Sequence, residues 1–188
     1  MIESNKITLR KEKRMKSLED YIRTIPDFPE EGILFRDITT LLQDADGLKL
    51  AIDRMIEVLN DVDFDIVVGT ESRGFIFGVP IAYALNKGFV PCRKKGKLPY
   101  ETISTSYELE YGSAEIELHR DSIRAGQRVV LIDDLIATGG TMEACAKLVE
   151  KLGGEVVNIV FLLELAGLNG RERLKQYPVT ALLSYDDK

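Results

Sequence analysis

Residues 129–141 read VVLIDDLIATGGT, and this stretch narrows the choice of fold more than any other. Its apolar residues run on without alternation, as in a strand buried on both faces of a helix-covered sheet. The run ends on two adjacent carboxylates, Asp133 and Asp134. After a short apolar step, Gly139 and Gly140 lie between the hydroxyls of Thr138 and Thr141. The segment 140–154, GTMEACAKLVEKLGG, then places Met142, Cys145, Leu148, Val149 and Leu152 on one helical face and stops at Gly153-Gly154. A buried strand, a glycine loop and an amphipathic helix in that order make one unit of an α/β sheet.

The same alternation runs through much of the chain. DIVVGT (65–70), FVPCR (89–93), RVVLID (128–133) and EVVNIVFLLEL (155–165) read as strands, and RGFIFGVPIAYALNKG (73–88) as a helix that contains Pro80 and ends at Gly88. Strand, helix, strand in succession predicts a parallel sheet with right-handed crossovers. Upstream, Ser17 with Asp20 three residues on caps a short helix. Pro26, Pro29 and Gly32 make the following residues irregular, and residues 48–60 form a helix with Leu48, Ile52, Met55, Ile56 and Leu59 on one face. The Ser-, Thr- and Tyr-rich segment 97–121 suits an antiparallel hairpin or a mobile flap. With 188 residues and 45% hydrophobic content, the chain is expected to form a single domain over 17–188, preceded by a basic extension, 1–16, of little order.

A formal net charge of −6 argues against nucleic acid as a partner, so an anionic ligand would be held by a local basic cluster, backbone N–H groups or a metal. Cys92 and Cys145 stand in no metal-ligand pattern, and the sole histidine, His119, has no second histidine or nearby cysteine, so it reads as structural. No secretory h-region opens the chain, and the longest apolar stretch is broken by Asn158 and Glu164. The expectation is a cytoplasmic protein with reduced thiols and no membrane partner.

Ligands of open α/β sheets bind beyond the carboxyl ends of the strands. Asp133 and Asp134 are expected at such an end. The loop after them leads into a helix N-terminus, where unpaired N–H groups and the helix dipole favour phosphate. The carboxylates suit hydroxyl donors such as a ribose diol, or a magnesium ion met directly or through water. The stretch therefore reads as a sugar-phosphate holder, with Asp133 and Asp134 on the sugar and Ala137, Thr138, Gly139, Gly140 and Thr141 on the 5′-phosphate. Elsewhere, Arg73 in ESRGF (71–75) can place a guanidinium on an anion. The cluster RKKGK (93–97) is the local basic patch such a substrate needs, with Lys95 the member expected to be only solvated.

The 129–141 stretch closely resembles the binding motif of the type I phosphoribosyltransferases. IPDFPEEGILFRDITTLL (25–42), ESRGFIFG (71–78), RKKGKLP (93–99), YELEYG (107–112) and LLELAGLNGRERL (162–174) resemble, in that order, the branch of that family that acts on adenine. The resemblance covers about residues 17–185. It implies a five-stranded parallel sheet flanked by helices, a small N-terminal hood, a flexible flap, a homodimer, and magnesium bound with the substrate phosphoribosyl pyrophosphate. No metal ligand comes directly from the protein, beyond a water-mediated contact through Asp133. The same resemblance implies a tight loop at ESRGF, often with a non-proline cis peptide. Arg73, Arg93, Lys94 and Lys97 would hold pyrophosphate. Glu110 and Tyr111 at the flap tip, with Arg73, would be catalytic, Glu110 as the proton-transfer group and Tyr111 as a cover over the phosphoribosyl group. For adenine, Phe35 would stack on the ring, the backbone groups of Leu34 and Arg36 would pair with its nitrogens, and Leu165 would pack on the opposite face.

Competing readings are a transferase for guanine, hypoxanthine, xanthine or orotate, or a purine-repressor-like regulator that uses the ligand only as a signal. The second calls for a DNA-binding domain ahead of the core, for which residues 1–16 are too short. Phosphoribosyl-pyrophosphate synthetase shares the motif but needs a much longer chain.

Overall fold

The computed structural model describes residues 16–108 and 113–186. In chain order these form β1 (Arg23–Pro26), β2 (Leu34–Asp37), α1 (Thr39–Gln43), α2 (Ala45–Leu59), β3 (Ile66–Thr70), α3 (Arg73–Ala84), β4 (Gly88–Lys94), β5 (Thr102–Glu108), β6 (Ser113–His119), β7 (Arg128–Ile136), α4 (Gly140–Lys151), β8 (Glu155–Leu165) and β9 (Val179–Tyr185), with three short 3-10 turns. The main sheet has the order β5-β6-β4-β3-β7-β8-β9. Five neighbours, β4-β3-β7-β8-β9, are parallel. The hairpin β5-β6 joins the β4 edge antiparallel. The parallel core expected for the type I phosphoribosyltransferase fold is thus present, extended by the β5-β6 hairpin.

Successive residues of a strand point to opposite faces, which is why the apolar runs need no alternation. Val68, Leu131 and Ile159 belong to the core under α4, with Cys145, Leu148 and Val149. Their neighbours Val67, Val130 and Val160 belong to the core on the other face, with Met55 and Leu59 of α2 and Phe77 and Ile81 of α3.

The structure changes the local readings in five places. The short N-terminal helix is a single 3-10 turn, Glu19–Tyr21, though Ser17 and Asp20 do bond as foreseen. α2 begins at Ala45 rather than 48, because the Asp44 carboxylate accepts the N–H groups of Asp46 and Gly47. α3 stops at Ala84, and its C-terminal device is Asn86 rather than Gly88. Asn86 has φ 53°, and the bonds Asn86 N–H to Tyr83 O and Lys87 N–H to Ala82 O close a Schellman motif, so Gly88 already opens β4. The residues expected to be irregular around Pro26 include a two-stranded antiparallel sheet, β1-β2, which forms the hood. β7 runs to Ile136, three residues past the expected end at Asp133, so Asp134 also lies within the strand. Of the expected N-terminal extension, only Lys16 lies among the described residues.

Candidate active site

The chain leaves β3 for β4 on one side and returns to pair β7 on the other, so the crevice at the carboxyl ends of β3 and β7 is a topological switch point. A cavity of about 240 Å³ opens there. It is lined by the turn Glu71-Ser72-Arg73, by Asp133 and Asp134, by the loop Ala137–Gly139 with the first turn of α4, and by Tyr107 from the hairpin stem.

The two carboxylates are held against each other. The Asp134 N–H donates to Asp133 Oδ1 at 2.9 Å. Arg73, the first residue of α3, brings Nε to 2.9 Å from Asp134 Oδ2, although its N–H is not aimed at that oxygen. Asp134 Oδ2 is therefore a buried acceptor with an ion-pair neighbour and no hydrogen-bond donor among the described residues. α3 reaches this close because residue 74 is glycine: a Cβ there would stand 2.6 Å from the Ile132 carbonyl and 3.1 Å from Asp133 Oδ1. Burial and the charge of Asp134 push the Asp133 carboxyl well up. Burial also raises the Asp134 carboxyl, with Arg73 pulling the other way. A pair of this kind does not carry two full negative charges comfortably until donors arrive.

Beyond Ile136 the loop turns at Gly139, whose φ is 79°, and α4 starts at Gly140 without a side-chain cap. Its first N–H groups are thus available to an anion. The loop rests on residue 170. A Cβ on Gly139 would meet the Gly170 carbonyl at 2.5 Å, and one on Gly170 would meet the Ala137 carbonyl at 2.2 Å. Two glycines face to face let these backbones touch.

The basic turn lies beside the Glu71-Ser72 peptide, which is cis, as the resemblance implied. Arg93 Nε donates to Glu71 Oε2 at 3.1 Å, Arg93 Nη1 to the Lys97 carbonyl at 3.1 Å, and the Lys94 N–H to Glu71 Oε2 at 3.0 Å. Burial pushes the Glu71 carboxyl up, but Arg93 and the Lys94 N–H outweigh it and the pKa falls below the usual carboxylate range. Lys95 is exposed, and its Nζ also pairs with Glu115 at 2.7 Å.

In the hood, β2 carries Leu34, Phe35 and Arg36. Phe35 meets Phe28 edge to face with centroids 5.1 Å apart. The Arg36 guanidinium stacks 4.1 Å over the ring of Tyr185, which pairs in register with Leu165. The hood is thereby tied to the end of β8 where Leu165 stands. None of Leu34, Phe35, Arg36 or Leu165 lines the switch-point cavity. Glu110 and Tyr111 lie outside the described residues. His119 packs near Tyr100, ring centroids 6.3 Å apart. Sequence reasoning gave no part to Glu71 or Tyr107, although both lie in quoted motifs; a carboxylate two residues before an arginine was the available signal for Glu71.

A parallel sheet with a carboxylate pair at its switch point, facing a glycine loop at a helix N-terminus, is the architecture of a phosphoribosyltransferase. Residues 39–186 match the model of the phosphoribosyl transferase domain. The chain belongs to that family, within its adenine phosphoribosyltransferase branch. It is 67% identical over 174 residues to the adenine phosphoribosyltransferase of Agathobacter rectalis, covering 93% of this chain and 100% of that one. The crystal structure of adenine phosphoribosyltransferase from Thermoanaerobacter pseudethanolicus superposes with a TM-score of 0.86 at 51% identity, covering 90% of this chain and 100% of that one. The Saccharomyces cerevisiae enzyme, complexed with an imino-altritol bisphosphate and adenine, gives a TM-score of 0.83 at 42% identity, covering 88% and 96%.

Proposed function

We propose that this chain transfers the phosphoribosyl group of 5-phosphoribosyl 1-pyrophosphate to nitrogen 9 of adenine, giving AMP and pyrophosphate in purine salvage. The observation that carries the reading is the Asp134 oxygen, buried beside Arg73 with no hydrogen-bond donor among the described residues, in a cavity that also holds the glycine loop. A buried acceptor lacking a donor fits a ribose hydroxyl, which supplies one.

In this reading Asp133 and Asp134 hold the ribose hydroxyls. The N–H groups and hydroxyls of Ala137, Thr138, Gly139, Gly140 and Thr141 hold the 5′-phosphate. Arg73, Arg93, Lys94 and Lys97 receive the pyrophosphate. Among the described residues no group of three or more His, Cys, Asp or Glu side chains could grip a metal. The donors therefore suit a magnesium ion that arrives with the diphosphate and is held through water by Asp133, where it would neutralise the leaving group. The rate comes from positioning and charge stabilisation. Glu110 moves the purine proton, and Tyr111 covers the sugar while the flap excludes water from an oxocarbenium-like ribose. Phe35 and Leu165 sandwich the adenine ring, with the backbone of Leu34 and Arg36 reading its edge.

Residues 17–188 act as one domain, in the cytoplasm and as a homodimer. Support for the dimer is an exposed apolar stripe on α3, Ile76, Val79 and Tyr83, at helical spacing. Sedimentation of the Tyr83→Glu variant as a monomer, against a wild-type dimer, checks this. The activity is tested by supplying magnesium, phosphoribosyl pyrophosphate and one base per reaction: adenine, guanine, hypoxanthine, xanthine or orotate. AMP from adenine alone is the expected outcome. Product from another base removes the account of residues 34–36, and substrate binding without any product moves the chain to a regulatory role.

A further inference from the structure

The segment EIELHRD (115–121) has no part in the scheme above, yet it carries a buried carboxylate bonded to the backbone of the basic turn. Glu117 lies on β6 between the buried Ile116 and Leu118 and is only 3% exposed. Its Oε1 accepts the N–H of Lys97 at 3.0 Å and that of Leu98 at 2.9 Å. Burial acts to raise its pKa, but the Leu98, Gly96 and Lys97 N–H groups and the Thr102 hydroxyl outweigh this and lower it, so the group is an anion neutralised by backbone dipoles.

No ion pair among the described residues engages Glu117, and this matters for its neighbours. The segment 93–97 carries four cationic side chains, yet the Glu117 carboxylate accepts its hydrogen bonds from the backbone of Lys97 and Leu98. Here the turn presents its N–H groups inward, helped by Gly96 at φ 79°. Lys94 and Lys97 consequently enter no ion pair among the described residues, whereas Lys95 is taken up by Glu115. The same strand aligns the turn's entry, since Glu117 pairs in register with Arg93 and Ile116 with Lys94. The carboxylate also stands in the hairpin that carries the flap, because β6 pairs with β5 along its whole length.

We propose that Glu117 is a positioning residue for the leaving pyrophosphate: its buried carboxylate folds the 94–98 turn by its backbone, keeps the charges of Lys94 and Lys97 free for the diphosphate, and joins that turn to the flap stem. Glu117 does not touch the substrate. This rests on the reading of residues 93–97 as the diphosphate holder, and the test separates the two.

The full-length Glu117→Gln and Lys94→Ala variants are compared with wild type by titrating inorganic pyrophosphate and, separately, AMP, together with KM for phosphoribosyl pyrophosphate and for adenine. Losing a charge-assisted acceptor for two N–H groups should weaken pyrophosphate binding and raise KM for phosphoribosyl pyrophosphate roughly tenfold. AMP affinity and KM for adenine should stay within about twofold, because the sugar-phosphate loop is on another element. A merely structural role would weaken pyrophosphate and AMP binding and raise both KM values together, and that result overturns the proposal. Normal pyrophosphate affinity in Glu117→Gln with a loss in Lys94→Ala overturns it while leaving the diphosphate reading intact; no loss in either removes both. Should Glu117→Gln fail to fold, Thr102→Val, which takes away one donor to the same carboxylate, should show the same split at smaller amplitude, and its absence there counts equally against the proposal.

Discussion

Replacing Gly170 by alanine adds one methyl group at the back of the glycine loop 137–141, far in sequence from the residues it supports. The added Cβ would stand 2.2 Å from the Ala137 carbonyl oxygen and 3.0 Å from the Gly139 nitrogen, both backbone atoms. That falls about 0.8 Å short of the 3.0 Å below which real Cβ contacts essentially never occur, and no rotamer can relieve a clash with main chain. The loop must retreat by about an ångström, and a misplacement of that size costs catalysis about a hundredfold. The fold should lose about 1–3 kcal/mol, the usual cost of overpacking. We therefore expect Gly170→Ala to remain folded, with a lowered Tm and kcat/KM for phosphoribosyl pyrophosphate down about a hundredfold. The assay is steady-state AMP formation at varied phosphoribosyl pyrophosphate, beside thermal unfolding followed by circular dichroism. Wild-type kcat/KM would refute the idea that Gly170 sets the loop's position, whatever the Tm.

Asp134→Asn should cut turnover by about two orders of magnitude while leaving Tm unchanged or raised, because burial already disfavours the charged carboxyl; near-normal activity would remove its sugar-holding role. Glu110→Gln should slow the chemical step more than it weakens binding of phosphoribosyl pyrophosphate, and a change confined to affinity would leave Glu110 as a lid residue only. In the hood, the Thr39 N–H and the Arg23 side chain hold the Asp37 carboxyl down to about 2. A depressed value contributes stability above the unfolded pKa near 3.8, and that contribution is lost as pH falls from there toward 2. With Arg23 half exposed, the contribution is about 1–2 kcal/mol, so urea unfolding should show Asp37→Asn less stable by that amount at pH 7, with the gap closing as the pH approaches 2.

What could be read from the residues, and what could not, follows from the kind of signal each element leaves. The runs DIVVGT and VVLID stand out because strands covered on both faces need apolar residues at every position, and the opposite-facing pairs Val67/Val68 and Val130/Leu131 meet that need. The glycine loop was legible because paired glycines between a buried strand and an amphipathic helix mark a tight turn, and Gly139 does take φ 79° there. The hood sheet was not, since four-residue strands bounded by Pro26 and Gly32 look like loop, and its pairing depends on tertiary support. β9 escaped for a different reason: VTALLSY is apolar but does not alternate strictly, and so short a run reads equally as strand or helix. The Schellman stop at Asn86 was hidden by Gly88, the more familiar helix stop. Glu71 and Glu117 look like surface carboxylates in the sequence; their importance lies in backbone N–H groups brought to them by folding.

The two strands that flank the crevice, β3 and β7, are direct partners in the sheet, with Ile66 opposite Val129. Their ladder closes a loop of about sixty residues that contains β4 and the entire hairpin, and such a closure carries its entropic cost before any contact across it can form. The crevice is therefore a late product of folding rather than a local structure. Neither half of the chain owns it: residues before β4 supply one wall, residues after β6 the other, and Tyr107 of β5 completes the lining. A chain emerging from the ribosome has no binding site until β7 has left the exit tunnel, and cleavage into fragments at the hairpin would leave each piece without a crevice unless the two re-associate.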